Sequence, residues 1–281
     1  MTDLLYRDIE VNIGGLLIAS RDTVGVDQPV LRMSFVINKS QDKNPNKATL
    51  KIWNLSETSR GDLQEQDRLI VTISAGYRGL LTQIFFGDMR YANSERQGAD
   101  WVTVIEAGDG AKQYRSARIN KSFSAGTLVT DALKASVKAL GVGDGNLNQV
   151  ISAGSKRALK QFQNGTVLSG RASDQVDNIV RSMGYEWSVQ DGQFQALATD
   201  ETTQDDAIVL SPDSGLIGSP TAGDKGVVKA RSLLQGDLFP GRKVQIDSRL
   251  IQGAFFKVEK AKHTGDTWGS SWFTDLELKP L

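Results

Sequence analysis

Cysteine is absent from this chain of 281 residues, and histidine occurs once. The first absence excludes disulfides and thiolate chemistry, and it fits synthesis in a reducing cytoplasm. The second leaves His263 as the sole histidine a Ser-His-Asp triad could use, and no Gly-x-Ser-x-Gly precedes it. His263 and Asp266 together are too few for zinc, which takes three or four protein ligands. His263 therefore reads as a polar residue in a turn at a strand end. Net charge is also lacking, because 33 basic and 33 acidic side chains cancel. A neutral chain has no strong global field to draw in nucleic acid or an anionic membrane. The longest apolar run, Leu16-Leu17-Ile18-Ala19, is far too short to span a bilayer. Met1-Thr2-Asp3-Leu4 lacks a basic or apolar leader, so no secretory signal is expected. Neither a Gly-x-x-x-x-Gly-Lys-Ser/Thr loop nor a Gly-x-Gly-x-x-Gly after a strand is present, so no nucleotide and no cofactor is expected.

What is present is mostly strand, and it comes twice. One stretch runs through Gly61-Asp62-Leu63, Arg68 to Ile73, Ile84-Phe85-Phe86-Gly87 and Trp101 to Glu106. The other runs through Gly236-Asp237-Leu238, Arg242 to Ile246, Gly253-Ala254-Phe255-Phe256 and Trp272 to Glu277. The successive offsets are 175, 174, 170 and 171 residues, so order is kept while the gaps drift. Two similar β units suggest a pseudo-symmetric block, suited to a ring with twice as many modules as chains.

The strands themselves alternate. Ile9, Val11 and Ile13 share one face, as do Leu31, Met33, Phe35 and Ile37, and then Ala48, Leu50 and Ile52. Such period-2 patterns put one face on a core. Asn38 to Lys47 is polar with one proline, and it predicts a long exposed loop in contact with a neighbouring subunit or a tube protein. Further on, the period changes. Apolar residues at Val129, Leu133, Val137 and Leu140 predict a helix ended by Gly141. A second helix is predicted from about Asp174 to Met183, capped by Ser173 and ended by Gly184. Asp191-Gly192 between Tyr185–Gln190 and Gln193–Leu197 predicts a hairpin. Thr199 to Asp206 is polar and reads as a boundary, and Gly215 to Gly226 reads as loop.

Candidate chemistry is sparse. Glu106 with Asp109, or Asp205 with Asp206, could in principle form the acid pair of a glycosidase. With 33 acidic residues such pairs arise by chance, so no catalytic residue is assigned, and no metal ligand either. Lys112, Arg115, Arg118 and Lys121 would form a basic stripe if helical, and read as a solvated face. The five tryptophans are not clustered as a sugar platform needs; Trp101 and Trp272 hold matching places in the repeats and read as core or interface anchors. The function classes left in competition are a structural assembly protein, a cell-wall hydrolase and a sugar-binding module.

Asn46-Lys47-Ala48-Thr49-Leu50-Lys51-Ile52-Trp53-Asn54-Leu55 resembles an early strand signature of the baseplate hub proteins of contractile-tailed phages, the late control protein D-like family. Gly241 to Ile246, Gly253 to Val258, and Lys262-His263-Thr264-Gly265-Asp266 followed by Trp272 resemble that family's last β unit. The resemblance implies a mainly β chain with an inserted α+β domain and two tube-type β-barrels, pseudo-sixfold when three chains form a ring. It divides the chain into a first barrel at 1–114, the insertion at 115–204 and a second barrel at 205–281. Implied partners are two further copies, the sixfold tail tube protein, the threefold central spike protein, and other baseplate and tape measure proteins. Membrane and specific nucleic-acid partners are not implied. The implied location is the virion tail baseplate, assembled in the host cytoplasm. Neutral charge fits a ring that a tape protein or DNA traverses without being held.

Overall fold

The computed structural model describes residues 6–20, 30–65, 69–156 and 161–281. Met1 to Leu4 and Arg68 lie outside the described residues. The chain divides into two compact units: Met1–Ser40, Asn46–Gly108 and Thr203–Leu281 make the first, and Gln41–Pro45 with Asp109–Thr202 the second.

In the first unit the sequence alternation becomes sheet. β1 (Arg7–Ile13) and β2 (Leu16–Ala19) form a hairpin turning on Gly14 and Gly15, whose φ angles of 59° and 101° suit residues without a Cβ. β3 (Met33–Ser40) and β4 (Lys47–Trp53) follow, then α1 (Glu57–Glu65), β5 (Ile70–Tyr77), β6 (Leu80–Gln97) and β7 (Asp100–Gly108). Ile9, Val11, Ile13, Met33, Phe35, Ile37, Leu50 and Ile52 all turn inward and join one buried core. The strand between Asn38 and Ser40 continues past the expected loop start, so the connection is only Gln41 to Asn46. Ser40 N–H donates to the Asn46 side-chain oxygen at 2.9 Å and closes it.

The second unit holds α2 (Ala111–Ser116), β8 (Arg118–Phe123), α3 (Val129–Leu140), α4 (Leu147–Lys156), β9 (Thr166–Arg171), α5 (Ala172–Ser182), β10 (Glu186–Gln190) and β11 (Gln193–Leu197). α3 is the helix the sequence predicts, with Gly141 left-handed at φ 78° and bonded back to Val137. α5 starts earlier than its pattern suggests. Arg171 occupies the N-cap, and Ser173 sits inside the helix with its hydroxyl donating to the Tyr114 carbonyl at 3.3 Å. The Asp191-Gly192 turn has φ of 52° and 78°, the paired positive values of a type I′ hairpin. Tyr114 stacks on Trp187 at 5.3 Å in a core with Leu133, Val176 and Phe194.

The first unit resumes with β12 (Ile208–Leu210), β13 (Leu216–Ala222), β14 (Val228–Leu233), β15 (Lys243–Ile246), β16 (Ala254–Asp266) and β17 (Trp272–Pro280). β13 corrects the loop expected over Gly215 to Gly226. A strand with Pro220 and Gly218 is tolerated because it lies at the sheet edge and bulges between Ile217 and Thr221. All strands of this unit join one 13-stranded, largely antiparallel sheet, ordered β13-β14-β17-β16-β3-β4-β7-β6-β5-β1-β2, with β15 on β16 and β12 on β15. This corrects the expectation of two barrels. No sequence of strand pairings closes either half among the described residues, and β3 of the first half is zipped to β16 of the second from Ser34–Asp266 to Ser40–Lys260. The chain is mainly β, with an α+β portion between its two strand-rich stretches.

Candidate assembly edges

The repeat seen in the sequence has a counterpart in the sheet. The first half is ordered β3-β4-β7-β6-β5, and the second β13-β14-β17-β16-β15. Each contains an antiparallel meander, β5-β6-β7 or β15-β16-β17. The correspondence extends to an irregularity. The β6–β7 ladder skips Arg90, between Met89–Ala107 and Tyr91–Glu106. The β16–β17 ladder skips Glu259, between Val258–Leu278 and Lys260–Glu277. Glu106 and Glu277 are 171 residues apart, so the extra residue falls at the same place in both halves. Bulges bend and twist a strand locally, so both meanders are re-aimed at one matched point.

Beyond the bulge, side chains match too. Thr103 and Thr274, both fully buried, each meet a cross-strand polar partner: Ser94 Oγ at 2.9 Å and His263 Nδ1 at 3.0 Å. Ser94 and His263 are thus counterparts. His263 is not a residue in a turn at a strand end. It lies within β16, fully buried, with Ile37 opposite on one side and Thr274 on the other. Burial, and secondarily the Lys39 charge, pull its pKa down to about 3, so the ring is neutral near pH 7. A sealed neutral imidazole bonded to a threonine is a packing element.

The match stops at two points. Gly61-Asp62-Leu63 lies in helix α1, whereas Gly236-Asp237-Leu238 lies in an irregular turn; only the buried leucine is common to both. Trp272 is 3% exposed and meets Phe35 edge-on at 6.0 Å, while Trp101 is 38% exposed under the Arg60 guanidinium at 4.3 Å. Trp272 is a core anchor; Trp101 stands at the surface.

Several strand edges lack a ladder partner among the described residues, those of β2 and β12 included; two of them, on β13 and β6, fall at corresponding places in the repeat. β13 is paired to β14 on one side only. β6 is paired to β7 from Asp88 to Gln97, but on its other edge β5 covers only Leu80 to Asp88, extended by the Met89 N–H bond to the Leu69 carbonyl at 2.7 Å. Residues from Tyr91 to Gln97 have no strand on that edge among the described residues. Bare edges are templates for strand addition. Neither edge is legible in the sequence. The Gly and Pro of β13 mask it as a loop, and nothing in the residue order reveals that β6 outruns its neighbour.

The other candidate residues are scattered. Glu106 is exposed on β7, and Asp109 is fully buried, accepting from the backbone N–H groups of Asp191 and Gly192 at 2.6 and 2.8 Å. Asp109 therefore clamps a hairpin. Asp205 pairs with Arg242 at 2.6 Å and Asp206 is exposed. Asp266 accepts from Arg32 at 3.0 Å and from the N–H groups of Trp268 and Gly269. Burial pushes its carboxyl up, but these donors outweigh burial and hold it below the usual range. Lys112 and Arg115 lie on α2, Arg118 and Lys121 on β8, so they form no single helical stripe. Lys43 of the connection between β3 and β4 bonds Asp177 at 3.1 Å. Asp177 also takes Arg181 at 3.0 Å and the Trp187 indole at 3.1 Å, in the wall of a cleft of about 560 Å³. Burial raises the Asp177 carboxyl, and the three donors together bring it below its ordinary value. Lys43, Asp177 and Arg181 of the cleft thus neutralise one another, and no cluster of three metal-ligating side chains exists among the described residues. No helix among them is long and apolar enough to cross a membrane.

No protein-family model matches the sequence, and no curated protein matches it either. Solved structures do match. The 43 kDa tail protein of prophage MuSo2 from Shewanella oneidensis superimposes with a TM-score of 0.63 at 8% identity, covering 98% of both chains. A tail protein from Neisseria meningitidis gives 0.59 at 11% identity, covering 98% of this chain and 96% of that one. An E. coli protein described as a component of the type VI secretion system, structurally similar to phage T4 tail proteins, gives 0.59 at 9% identity, over 96% and 76%. The fold is that of phage tail proteins, spread over nearly the whole chain.

Proposed function

We propose that the chain is the structural hub of a phage-type tail baseplate. Three copies form a ring that adapts the sixfold tail tube above to the threefold central spike below. Residues 1–114 and 205–281 act as the two tube-like modules of each copy, and 115–204 as the inserted α+β domain. The observation that carries the reading is the twinned meander, with one strand order and one bulge position in both halves. Two like modules per chain, taken three times, supply six near-equivalent faces for the tube while keeping a true threefold axis for the spike. The likeness to tail proteins over 98% of the chain supports the same reading.

The role is non-enzymatic in this reading. Of the candidate acids, Asp109 is locked into a hairpin and Asp205 into an ion pair with Arg242, while Glu106 and Asp206 lie exposed. The protein belongs in the virion tail, in contact with tube and spike proteins. Light scattering of the purified chain should return about 92 kDa, three times 30.6 kDa, and electron micrographs a ring with six lobes. A single-chain mass in the presence of tube and spike proteins, or clearing of a peptidoglycan zymogram, would refute it.

A further inference from the structure

We propose that the bare edge of β13 in one copy pairs antiparallel with the uncovered part of β6, Tyr91 to Gln97, in the next copy. This rests on the ring reading above and names its seam.

The chain already contains the template. The edge of β16 opposite β17 carries two strands in succession: β15 against Ala254–Lys257, then β3 against Lys260–Asp266. The matching edge of β6 carries β5, and then nothing among the described residues. β13 holds the place of β3, beside β14 as β3 is beside β4, with its far edge bare. One half therefore lacks the strand that the other half could lend. Six strands separate the two edges within the sheet, and they are not paired in the chain. A second copy brings both edges, and each copy gives one and takes one. That is a head-to-tail contact, which closes into a ring when the rotation suits.

Burial agrees with the transposition. Ala261 and His263, flanked by β3, are 2% and 0% exposed. Their counterparts Ala92 and Ser94, without such a neighbour, remain partly open. Tyr91, 53% exposed, and Ile217, 41% exposed, are large apolar groups on the two edges.

The register follows by counting through the matched strands. Ala48, Thr49 and Lys51 face Ala107, Glu106 and Val104, as Val228, Lys229 and Arg231 face Leu278, Glu277 and Asp275. Their outer partners are Ile37, Val36 and Ser34 in the first half, and Ala222, Thr221 and Ile217 in the second. Since His263, Thr264 and Asp266 pair with Ile37, Val36 and Ser34, the seam sets Ser94 opposite Ala222, Glu95 opposite Thr221 and Gln97 opposite Ile217. Gly218 to Pro220 bulge out where β3 has Phe35, so Pro220, which has no N–H, breaks no ladder bond.

A chain with no native cysteine makes the test clean. The double variants S94C/A222C and E95C/T221C are oxidised with copper-phenanthroline and run on a denaturing, non-reducing gel. Adjacent cross-strand pairs alternate between wide and close spacing, so one of the two meets disulfide geometry. Most chains should then migrate as a covalent trimer that reductant dissolves, while S94C/I217C and each single variant stay unlinked. Circular dichroism of the reduced samples should match that of the parent. Neither pair linking, with the mass still about 92 kDa, overturns the seam and leaves the ring. Neither pair linking with a single-chain mass at every concentration overturns both. S94C alone linking to itself also overturns the seam, because the β6 edges would then meet each other.

Discussion

Ser94 and His263 occupy the same place in two matching meanders, yet one is half open and the other is sealed. Their own strands do not explain the difference, since both face a buried threonine across the ladder. A third strand does. β3 lies against β16 and closes its face, and no strand lies there against β6 among the described residues. Equivalent local structure acquires different burial, and different residue chemistry, from whichever strand comes to rest beside it.

The tryptophan pair tests this comparison hardest. Trp272→Ala should lower the unfolding free energy by about 3–5 kcal/mol, because a buried indole leaves a cavity between Phe35 and Tyr77. Trp101→Ala should cost no more than about 1 kcal/mol, from the lost Arg60 contact. Chemical denaturation measures both, and equal losses would refute the asymmetry. Leu63 and Leu238 bear on the opposite side of the comparison, being 2% and 0% exposed beneath their respective halves. Each leucine-to-alanine change should cost about 2–5 kcal/mol. A loss under about 1 kcal/mol at either site, the size of an ordinary surface change, would remove that correspondence.

The threonines come next. Thr274→Val strands a buried imidazole and should cost about 1–3 kcal/mol. Thr103→Val should cost about 1 kcal/mol or less, since water reaches Ser94 once the bond is gone. Calorimetric melts of the two variants compare them directly, with Thr274→Val expected to melt lower. The subtlest effect lies in pH. The unfolded chain takes a proton at His263 below about pH 6.5. The folded chain refuses it until about pH 3. Stability therefore falls as pH drops through that window, by up to about 1.4 kcal/mol per pH unit. The carboxyls of Asp177 and Asp266, held below their ordinary values, contribute fully above the ordinary carboxylate range and lose that contribution as pH falls from it through their lowered values. Replacing His263 with serine, its counterpart in the other half, should flatten the slope between about pH 6 and 4.5. An unchanged slope would show that the ring is protonated while folded.

Much of the fold was legible from residue order. Alternation at Ile9–Ile13, Met33–Ile37 and Ala48–Ile52 gives buried strands, the spacing from Val129 to Leu140 gives α3, and Asp191-Gly192 gives its hairpin. The misreadings share a cause. Leu216 to Ala222 looks like loop because Pro and Gly are poor central-strand residues, and an edge with a bulge tolerates them. Asn38 to Ser40 look like loop because they are polar; β16 supplies backbone partners, and Lys39 is buried at 2% exposure. His263 looks like a turn residue because Gly265-Asp266 follow it, while the strand runs on to Asp266.

Residue order alone settled the near-range features: alternating faces, helix stripes, capping glycines, the absence of cysteine, and the echo of one β unit in another. These depend on contacts a few residues long, which period and turn chemistry encode directly. Which strands lie side by side was settled by folding: the zipping of β3 to β16, the single sheet in place of two barrels, and the bare edges on β13 and β6. Such pairings join residues more than 200 positions apart, and they are chosen by backbone hydrogen bonding, which is the same for nearly every side chain.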